Sequence, residues 1–213
     1  MRYTLCMTGL SVLVVAWGIA ATGHTMTSHM VAHMAAIAIA APLLASGIAG
    51  TRFDPAVRWP RLVSPLPMSL VELLVVWGWH VPAARAFAAG SAAGLAFEQI
   101  MFAAAGLLLW SACLGMGSHH IGRTARSAAG IIALLLTTMH MTLLGALITL
   151  APRTLFATHG FTGFGMTLSS LADQQLGGIV MLLIGGCSYL FGGLVLLFRL
   201  LHSDHSVSGT AIL

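Results

Sequence analysis

Six long apolar runs, separated by short polar or proline-containing stretches, make up most of the chain. Each run carries at most one charged residue. A helix needs about 20 apolar residues to cross the hydrocarbon core of a bilayer, and irregular backbone cannot face lipid. The pattern therefore predicts six transmembrane helices, at approximately residues 4–22, 30–50, 66–84, 95–116, 127–150 and 174–199.

The composition supports a membrane protein. Of the 213 residues, 58% are hydrophobic and only 7% are charged, whereas soluble domains carry about 25% charged residues. Such a chain cannot cover a water-soluble surface of ordinary size. We predict an all-α fold, a polytopic bundle of six transmembrane helices that forms a single domain over residues 1–213.

Arginines are divided unevenly between the two sides of this predicted bundle. If successive loops alternate sides, only Arg85 and Arg153 lie on one side, and the other side holds Arg2, Arg52, Arg58, Arg61, Arg123, Arg126 and Arg199. The positive-inside rule then places both termini in the cytoplasm. The net charge of +4 indicates topology and contact with anionic lipid, and a nucleic-acid partner is not predicted.

The first span has a second interpretation. Met1 and Arg2 precede an apolar run that ends in the small residues Ala20 and Ala21, which is also the pattern of a cleavable signal peptide. Cleavage would remove one helix and leave the orientation of the other spans unchanged.

The segment SHMVAHM, residues 28–34, begins the second span. A spacing of four residues puts His29 and His33 on one side of a helix. It puts Met30 and Met34 on an adjacent side, about 100° around the helix axis. Imidazole and thioether are donors that copper(I) prefers. The pattern predicts a copper site at the outer membrane face, although methionine is also a common packing residue.

Polar groups of other spans are predicted at the same depth. His80 ends the third span, His140 lies in the fifth, and Glu98 and Asp173 begin the fourth and sixth. Carboxylates can orient ligand imidazoles, but Asp173 also fits a helix cap and His80 an interfacial anchor. The predicted metal ligands are His29, His33, His80, His140, Met30 and Met34, with Glu98 and Asp173 as supporting acceptors.

Glu72 lies eight residues before His80, near the middle of the third span. An ionisable group at that depth is costly and indicates a function or a specific partner. The sequence leaves open whether Glu72 is a protonated, hydrogen-bonded structural residue or part of a polar track towards the site.

Short motifs follow one another over about residues 25–195: His29-Met30-x-x-His33-Met34 with Ala41-Pro42-Leu43-Leu44, then Trp79-His80-x-Pro82, Leu108-Leu109-Trp110, His140-x-x-Leu143-Leu144-Gly145, and Asp173-Gln174-Gln175-x-Gly177-Gly178. In this order they resemble the CtaG (caa3-type) cytochrome c oxidase assembly family. The resemblance implies a multi-pass protein of the bacterial inner membrane that helps supply copper to the terminal oxidase. Its implied partners are cytochrome c oxidase subunits, the lipid bilayer and a periplasmic copper chaperone.

The resemblance makes His29, His33 and His80 the first ligand candidates. One departure concerns the fourth span, where relatives carry a His-x-x-Glu-His pattern and this chain has Leu95, Glu98 and Gln99. That difference predicts a weakened copper site or another donor, for which Met101 and Met26 are candidates.

Other functions remain open from the sequence. Two histidines on facing helices also fit the axial ligands of a b-type haem, with His80 and His140 or His33 as the pair. A scaffold that holds an oxidase subunit without metal is a further alternative. Methionines at scattered depths do not favour a copper transporter. No nucleophile with a neighbouring base and no phosphate-binding loop is found, so catalysis is not predicted.

Overall fold

The computed structural model describes residues 1–115, 120–156, 160, 162–163 and 166–208. Helices dominate these residues. They are α1 (Arg2–Thr22), α2 (Met26–Met34), a first π-helical segment (Ala35–Ala40), α3 (Ala41–Ile48), α4 (Pro55–Arg58), α5 (Pro65–Trp79), α6 (Pro82–Ala89), α7 (Ala92–Leu114), α8 (His120–Leu150), α9 (Ser170–Val180), a second π-helical segment (Met181–Gly185) and α10 (Gly186–Ser208).

The predicted class, a polytopic helical membrane protein, is confirmed. Five helical stretches are long and apolar enough to cross a membrane, and α5 with α6 makes a sixth if this bent pair counts as one span. A short antiparallel pair, β1 (Thr162–Gly163) with β2 (Met166–Thr167), precedes α9 and pairs Thr162 with Thr167. It leaves the helical class unchanged. The cytoplasmic placement of the termini stays a prediction.

The third span differs from its predicted continuous form. The sequence predicted one helix over residues 66–84, but α5 ends at Trp79 and α6 turns away from it by 74°. Val81 is extended (φ −69°, ψ 131°), as expected for a residue that precedes proline. Since α5 has 15 residues, it is only about 22 Å long. The third crossing is therefore bent, and His80 lies at the bend.

The second span runs through α2, the first π-helical segment and α3 without a break. Pro42 has no N–H to give to Ala38, and the Ala41 N–H bonds to Ala36 instead of to Ile37. The carbonyls of Ile37 and Ala38 are thus released from the helix. Ser188 donates to the Ala38 carbonyl (2.6 Å), and Trp110 Nε1 donates to the Ile37 carbonyl (3.1 Å). Side chains of neighbouring helices thus donate hydrogen bonds to the carbonyl groups that the widened turns release.

The second span lies at the centre of the bundle and α1 at its edge. Within an apolar window of 18 residues in Met26–Ile48, 56% of the residues are buried. The corresponding window in α1 has 17% of its residues buried. Helix α2 packs against α9, and the π-helical segment and α3 pack against α7. Successive parts of the second span therefore meet different helices.

Arginine side chains mark one end of the bundle. Arg2 donates to the Ala49 carbonyl beyond α3, and Arg126 donates to the carbonyls of Ala112 and Val63. We call this the arginine end. The opposite end, where α2 and α7 begin and α5 ends, we call the histidine end because it holds His29, His33 and His80.

Candidate metal centre

Two helices bring three histidines together at the histidine end. His29 and His33 lie one turn apart on α2, and His80 follows the last residue of α5. Their ring centroids are 6.2 Å apart for His29 and His33, 5.6 Å for His29 and His80, and 5.2 Å for His33 and His80. All three are buried. The structure thus unites three of the four predicted imidazoles.

The spacing of the three rings fits a shared ion. The circle through their centroids has a radius of about 3.3 Å, close to the ~3.2 Å expected between a ring centroid and a metal held by a nitrogen bond of about 2.0–2.1 Å. As the rings stand, no three His, Cys, Asp or Glu side chains of the described residues form a ready metal site. The imidazole rings must rotate within the cluster before their nitrogens can bind a shared ion.

Within the described part of the chain, five ring nitrogens of the cluster have no hydrogen-bond partner, namely both of His29, both of His33 and Nε2 of His80. The sixth, His80 Nδ1, lies 2.6 Å from the Val76 carbonyl and must donate to it, so the neutral ring keeps a lone pair on Nε2. Buried polar atoms normally have partners. These orphaned nitrogens fit a metal that prefers imidazole.

Phe102 of α7 forms one wall of the cluster. Its ring stacks on His33 with a centroid distance of 4.0 Å and is fully buried. A planar macrocycle between two of the histidines would need space that Phe102 and the third imidazole occupy, so this arrangement does not favour the haem alternative. The sequence did not single out Phe102, although it lies one turn after Glu98 on the same helix face.

Glu98 of α7 lies beside His29, with 3.7 Å between Glu98 Oε2 and His29 Nδ1. Its carboxylate is fully buried and accepts hydrogen bonds from Arg85 Nη1 at 3.3 and 3.4 Å. Gln99 Nε2 lies 3.5 Å from Glu98 Oε2. Glu98 therefore lies next to His29 but not within hydrogen-bond distance of it, and its role as a supporting acceptor stays a prediction. Arg85, treated from sequence only as a topology signal, is its counter-charge.

Asp173 has the alternative role that the sequence offered, that of a helix cap. Its carboxylate does not face an imidazole but accepts hydrogen bonds from the backbone N–H groups of Met26 (2.6 Å) and Thr27 (3.2 Å). These are orphan donors of the first turn of α2. Asp173, at the start of α9, thus caps a neighbouring helix and holds in place the turn that carries the histidines.

The methionines of the second span lie on another face. A Cβ placed on Gly177 would lie 3.1 Å from Met30 Cγ, and one placed on Gly185 would lie 3.2 Å from Met34 Sδ. Both methionines are fully buried and pack against the last span, whereas the histidines face α5 and α7. The backbone of Met26 also faces Gly177. A role for these sulfur atoms as copper donors stays a prediction.

His140 lies apart from the cluster. It is buried on α8 with both ring nitrogens unpartnered, but no ring contact joins it to the other three histidines. Its predicted role as a ligand also remains a prediction.

An open pocket of about 820 Å³ lies beside the cluster. The end of α1, helix α6 and the first turns of α7 form its walls, which are mostly small and apolar. Arg85 and Gln99, the two partners of Glu98, line it, and so does Leu95. None of the three clustered histidines does. The pocket is therefore separated from the imidazoles by the Arg85–Glu98 pair and Gln99.

These features define a polytopic helical membrane protein with a buried imidazole cluster at one end of its bundle. The sequence model of the cytochrome c oxidase caa3 assembly factor family (Caa3_CtaG) matches residues 2–203. The chain therefore belongs to this family and is a cytochrome c oxidase assembly factor, which confirms the resemblance. Neither a curated protein nor a solved structure matches it.

Proposed function

We propose that this assembly factor binds one copper(I) ion between His29, His33 and His80, on the periplasmic side of the bacterial inner membrane, and releases it to cytochrome c oxidase. The observation that carries the proposal is the set of five unpartnered, buried ring nitrogens on three imidazoles spaced for a common ion. Imidazole suits copper far better than it suits Mg²⁺ or Ca²⁺. The excess of arginines at the opposite end supports the periplasmic placement.

The surroundings suit an ion that is passed on. An apolar wall, Phe102, and a balanced pair, Glu98 with Arg85, leave the cluster with little net charge. A singly charged ion costs less to place there than a divalent one. Three neutral ligands, without a thiolate, also hold the ion less firmly than a closed cage of cysteines would. Both features favour transient binding of copper(I).

The open pocket provides the route to the cluster. Because Arg85 and Gln99 line it and contact Glu98, movement of these side chains would join the pocket to His29. The partner that gives or takes the ion, an oxidase subunit or a periplasmic copper chaperone, would act through this opening. Glu98 lies next to both Arg85 and His29, so its carboxylate would balance the charge of the bound ion.

Copper(I) stoichiometry tests the proposal. Detergent-purified protein is titrated with copper(I) against a chelator, and an absorption spectrum is recorded on the same samples. We expect about one ion per chain for the wild type and none for the His29→Ala, His33→Ala double variant. His140→Ala is the matched control, since it removes a buried imidazole outside the cluster, and it should keep the ion.

Three results would contradict the copper site. No bound copper in folded wild-type protein would favour the metal-free scaffold, and a haem absorption band would favour the redox subunit. Loss of copper in the Met30→Leu, Met34→Leu variant, with retention in the histidine double variant, would move the site to the face of α2 that packs against α9.

A further inference from the structure

A second polar cluster lies in the interior of the bundle, away from the histidines. Glu72 of α5 is fully buried, eight residues before His80, which is about 12 Å along a helix. Its Oε1 makes a short hydrogen bond with Tyr189 Oη of α10, and its Oε2 has no partner. The proposed copper site makes no use of these groups.

Tyr189 contacts two oxygen atoms at once. Besides Glu72 Oε1, its Oη lies 3.4 Å from the carbonyl of Ile37. That carbonyl is one of the two released from the second span by Pro42 and the π-helical turns. A tyrosine hydroxyl has a single hydrogen to donate. The carbonyl also accepts from Trp110 Nε1 (3.1 Å), so an ionised Glu72 would take the Tyr189 hydrogen and leave none for the contact between Tyr189 Oη and Ile37.

A proton on Glu72 provides one hydrogen for each of the two contacts of Tyr189 Oη. With the proton on Oε1, Glu72 donates to Tyr189 Oη and Tyr189 donates to the Ile37 carbonyl. Each hydrogen then has one acceptor, and the unpartnered Oε2 is a neutral carbonyl oxygen. A buried carboxylate without a counter-charge would be far more costly.

No cation among the described residues offers such a counter-charge. Among the described residues, the hydrogen-bond partner of Glu72 is Tyr189 of α10. The buried Cys113 thiol of α7 donates to the Gly130 carbonyl, and the ring nitrogens of His140 on α8 have no hydrogen-bond partner there. From α8, Arg126 turns to the carbonyls of Ala112 and Val63 at the arginine end, while Thr137 bonds to Ser69. The first π-helical segment contributes only the Ile37 carbonyl.

We propose that Glu72 is a proton-binding site in the interior of the membrane, protonated at neutral pH, and that its proton completes a hydrogen-bond chain from Glu72 through Tyr189 to Ile37. The chain joins α5 and α10 to the second span. Ile37 lies one turn after His33, and Glu72 lies two turns before His80. Binding of the proton therefore holds together the two helices that carry the histidines, whether or not copper is bound.

Infrared spectroscopy of the purified protein tests this site. At neutral pH the wild type should show the carbonyl band of a protonated carboxylic acid, which should shift in D₂O and be absent from Glu72→Gln. Tyr189→Phe should keep the band at a shifted frequency because Glu72 loses its acceptor. The chain has only five Asp and Glu residues, so the difference spectrum is simple to assign. Identical wild-type and Glu72→Gln spectra would overturn the proposal.

Labelling by a hydrophobic carbodiimide is the second test and needs no folded Glu72 variant. The reagent adds to a protonated carboxyl group, whose oxygen bonds to the carbodiimide carbon while its proton moves to a nitrogen. Mass spectrometry should locate the label on Glu72 in the wild type and in the control Glu98→Gln, with less label as the pH rises. No label on Glu72, or protection by sodium ions at constant pH, would refute a proton site.

Thermal unfolding tests the structural consequence. The unfolded chain releases the proton of Glu72 in mildly acid solution, whereas the folded chain keeps it at neutral pH, so the stability of the wild type should fall as the pH rises from acid until the folded chain gives up the proton as well. Glu72→Gln carries a permanent N–H donor in the same place, so its melting temperature should fall less than that of the wild type over this pH range. An equal fall in both proteins would contradict the proposed hydrogen-bond chain.

Discussion

Asp173 joins the start of α9 to the turn of α2 that carries His29. Its two carboxylate oxygens accept from the N–H groups of Met26 and Thr27, and Thr27 Oγ1 donates back to the Asp173 carbonyl at 3.1 Å. The carboxylate is fully buried, so water cannot replace it. The negative charge also lies at the positive end of the α2 dipole.

These contacts give the size of the expected effect. A hydrogen bond to a charged group contributes about 1.5–3 kcal/mol. Asp173→Ala loses two of them and should cost about 3–6 kcal/mol, whereas Asp173→Asn keeps one acceptor oxygen and should cost about half as much. For a chain of this size, 1 kcal/mol corresponds to about 2–4 °C in melting temperature. Asp173→Asn should therefore melt about 3–12 °C lower, as measured by thermal unfolding in detergent.

Copper affinity should fall together with this stability. Fraying of the first turn of α2 lowers the fraction of chains with a formed histidine cluster, and the apparent affinity falls by that fraction. We expect roughly tenfold weaker binding, which is 1.4 kcal/mol, in competition with a chelator.

Asp54 offers the matched control. It is buried and likewise accepts from two backbone N–H groups, Gly50 (2.8 Å) and Ala56 (2.9 Å), at the arginine end. Asp54→Asn should lower the melting temperature by a similar amount and leave copper affinity unchanged. An equal loss of copper affinity in both variants would refute the local role of Asp173, and so would an unchanged melting temperature in Asp173→Asn.

Three further variants test single contacts. Phe102→Leu keeps the apolar wall but removes the ring stacked on His33, so copper(I) binding should weaken by about 1 kcal/mol in chelator competition, with stability changed by less than ~1.5 kcal/mol. Arg85→Gln removes a cation beside Glu98 and should tighten copper(I) binding roughly 3- to 10-fold, whereas weaker binding would show that Arg85 holds Glu98 in place. Ser188→Ala leaves the Ala38 carbonyl unpaired and should cost about 1–3 kcal/mol in thermal unfolding, and less in a Pro42→Ala background.

The helical bundle could be predicted from hydropathy because the bilayer imposes the length and composition of each span. The predicted and observed bounds agree within a few residues for the fourth span, 95–116 against Ala92–Leu114. The bend between α5 and α6 was not predicted, because hydropathy averages residue types and ignores the extended backbone before Pro82. The π-helical turns depend on donors from α7 and α10, which a local pattern does not contain.

The histidine cluster was partly predictable for a similar reason. A spacing of four residues puts His29 and His33 on one face of α2. Because successive spans alternate in direction, His80 lies at the same end of the bundle. Which neighbour each face meets is a property of the packing. The same helix turns Met30 towards Gly177, a contact that the spacing of residues along one helix does not reveal.

The departure from the family pattern in the fourth span falls on the pocket side of α7. Leu95 and Gln99, one turn apart, line the open pocket, whereas Glu98 points to His29. The three imidazoles do not depend on either substituted residue for their positions, because α2 and α5 supply them. The side chains of Leu95 and Gln99 therefore affect the approach to the cluster and not the cluster itself. We expect Gln99→His to alter the rate at which copper(I) is taken up or released while the wild-type stoichiometry is kept.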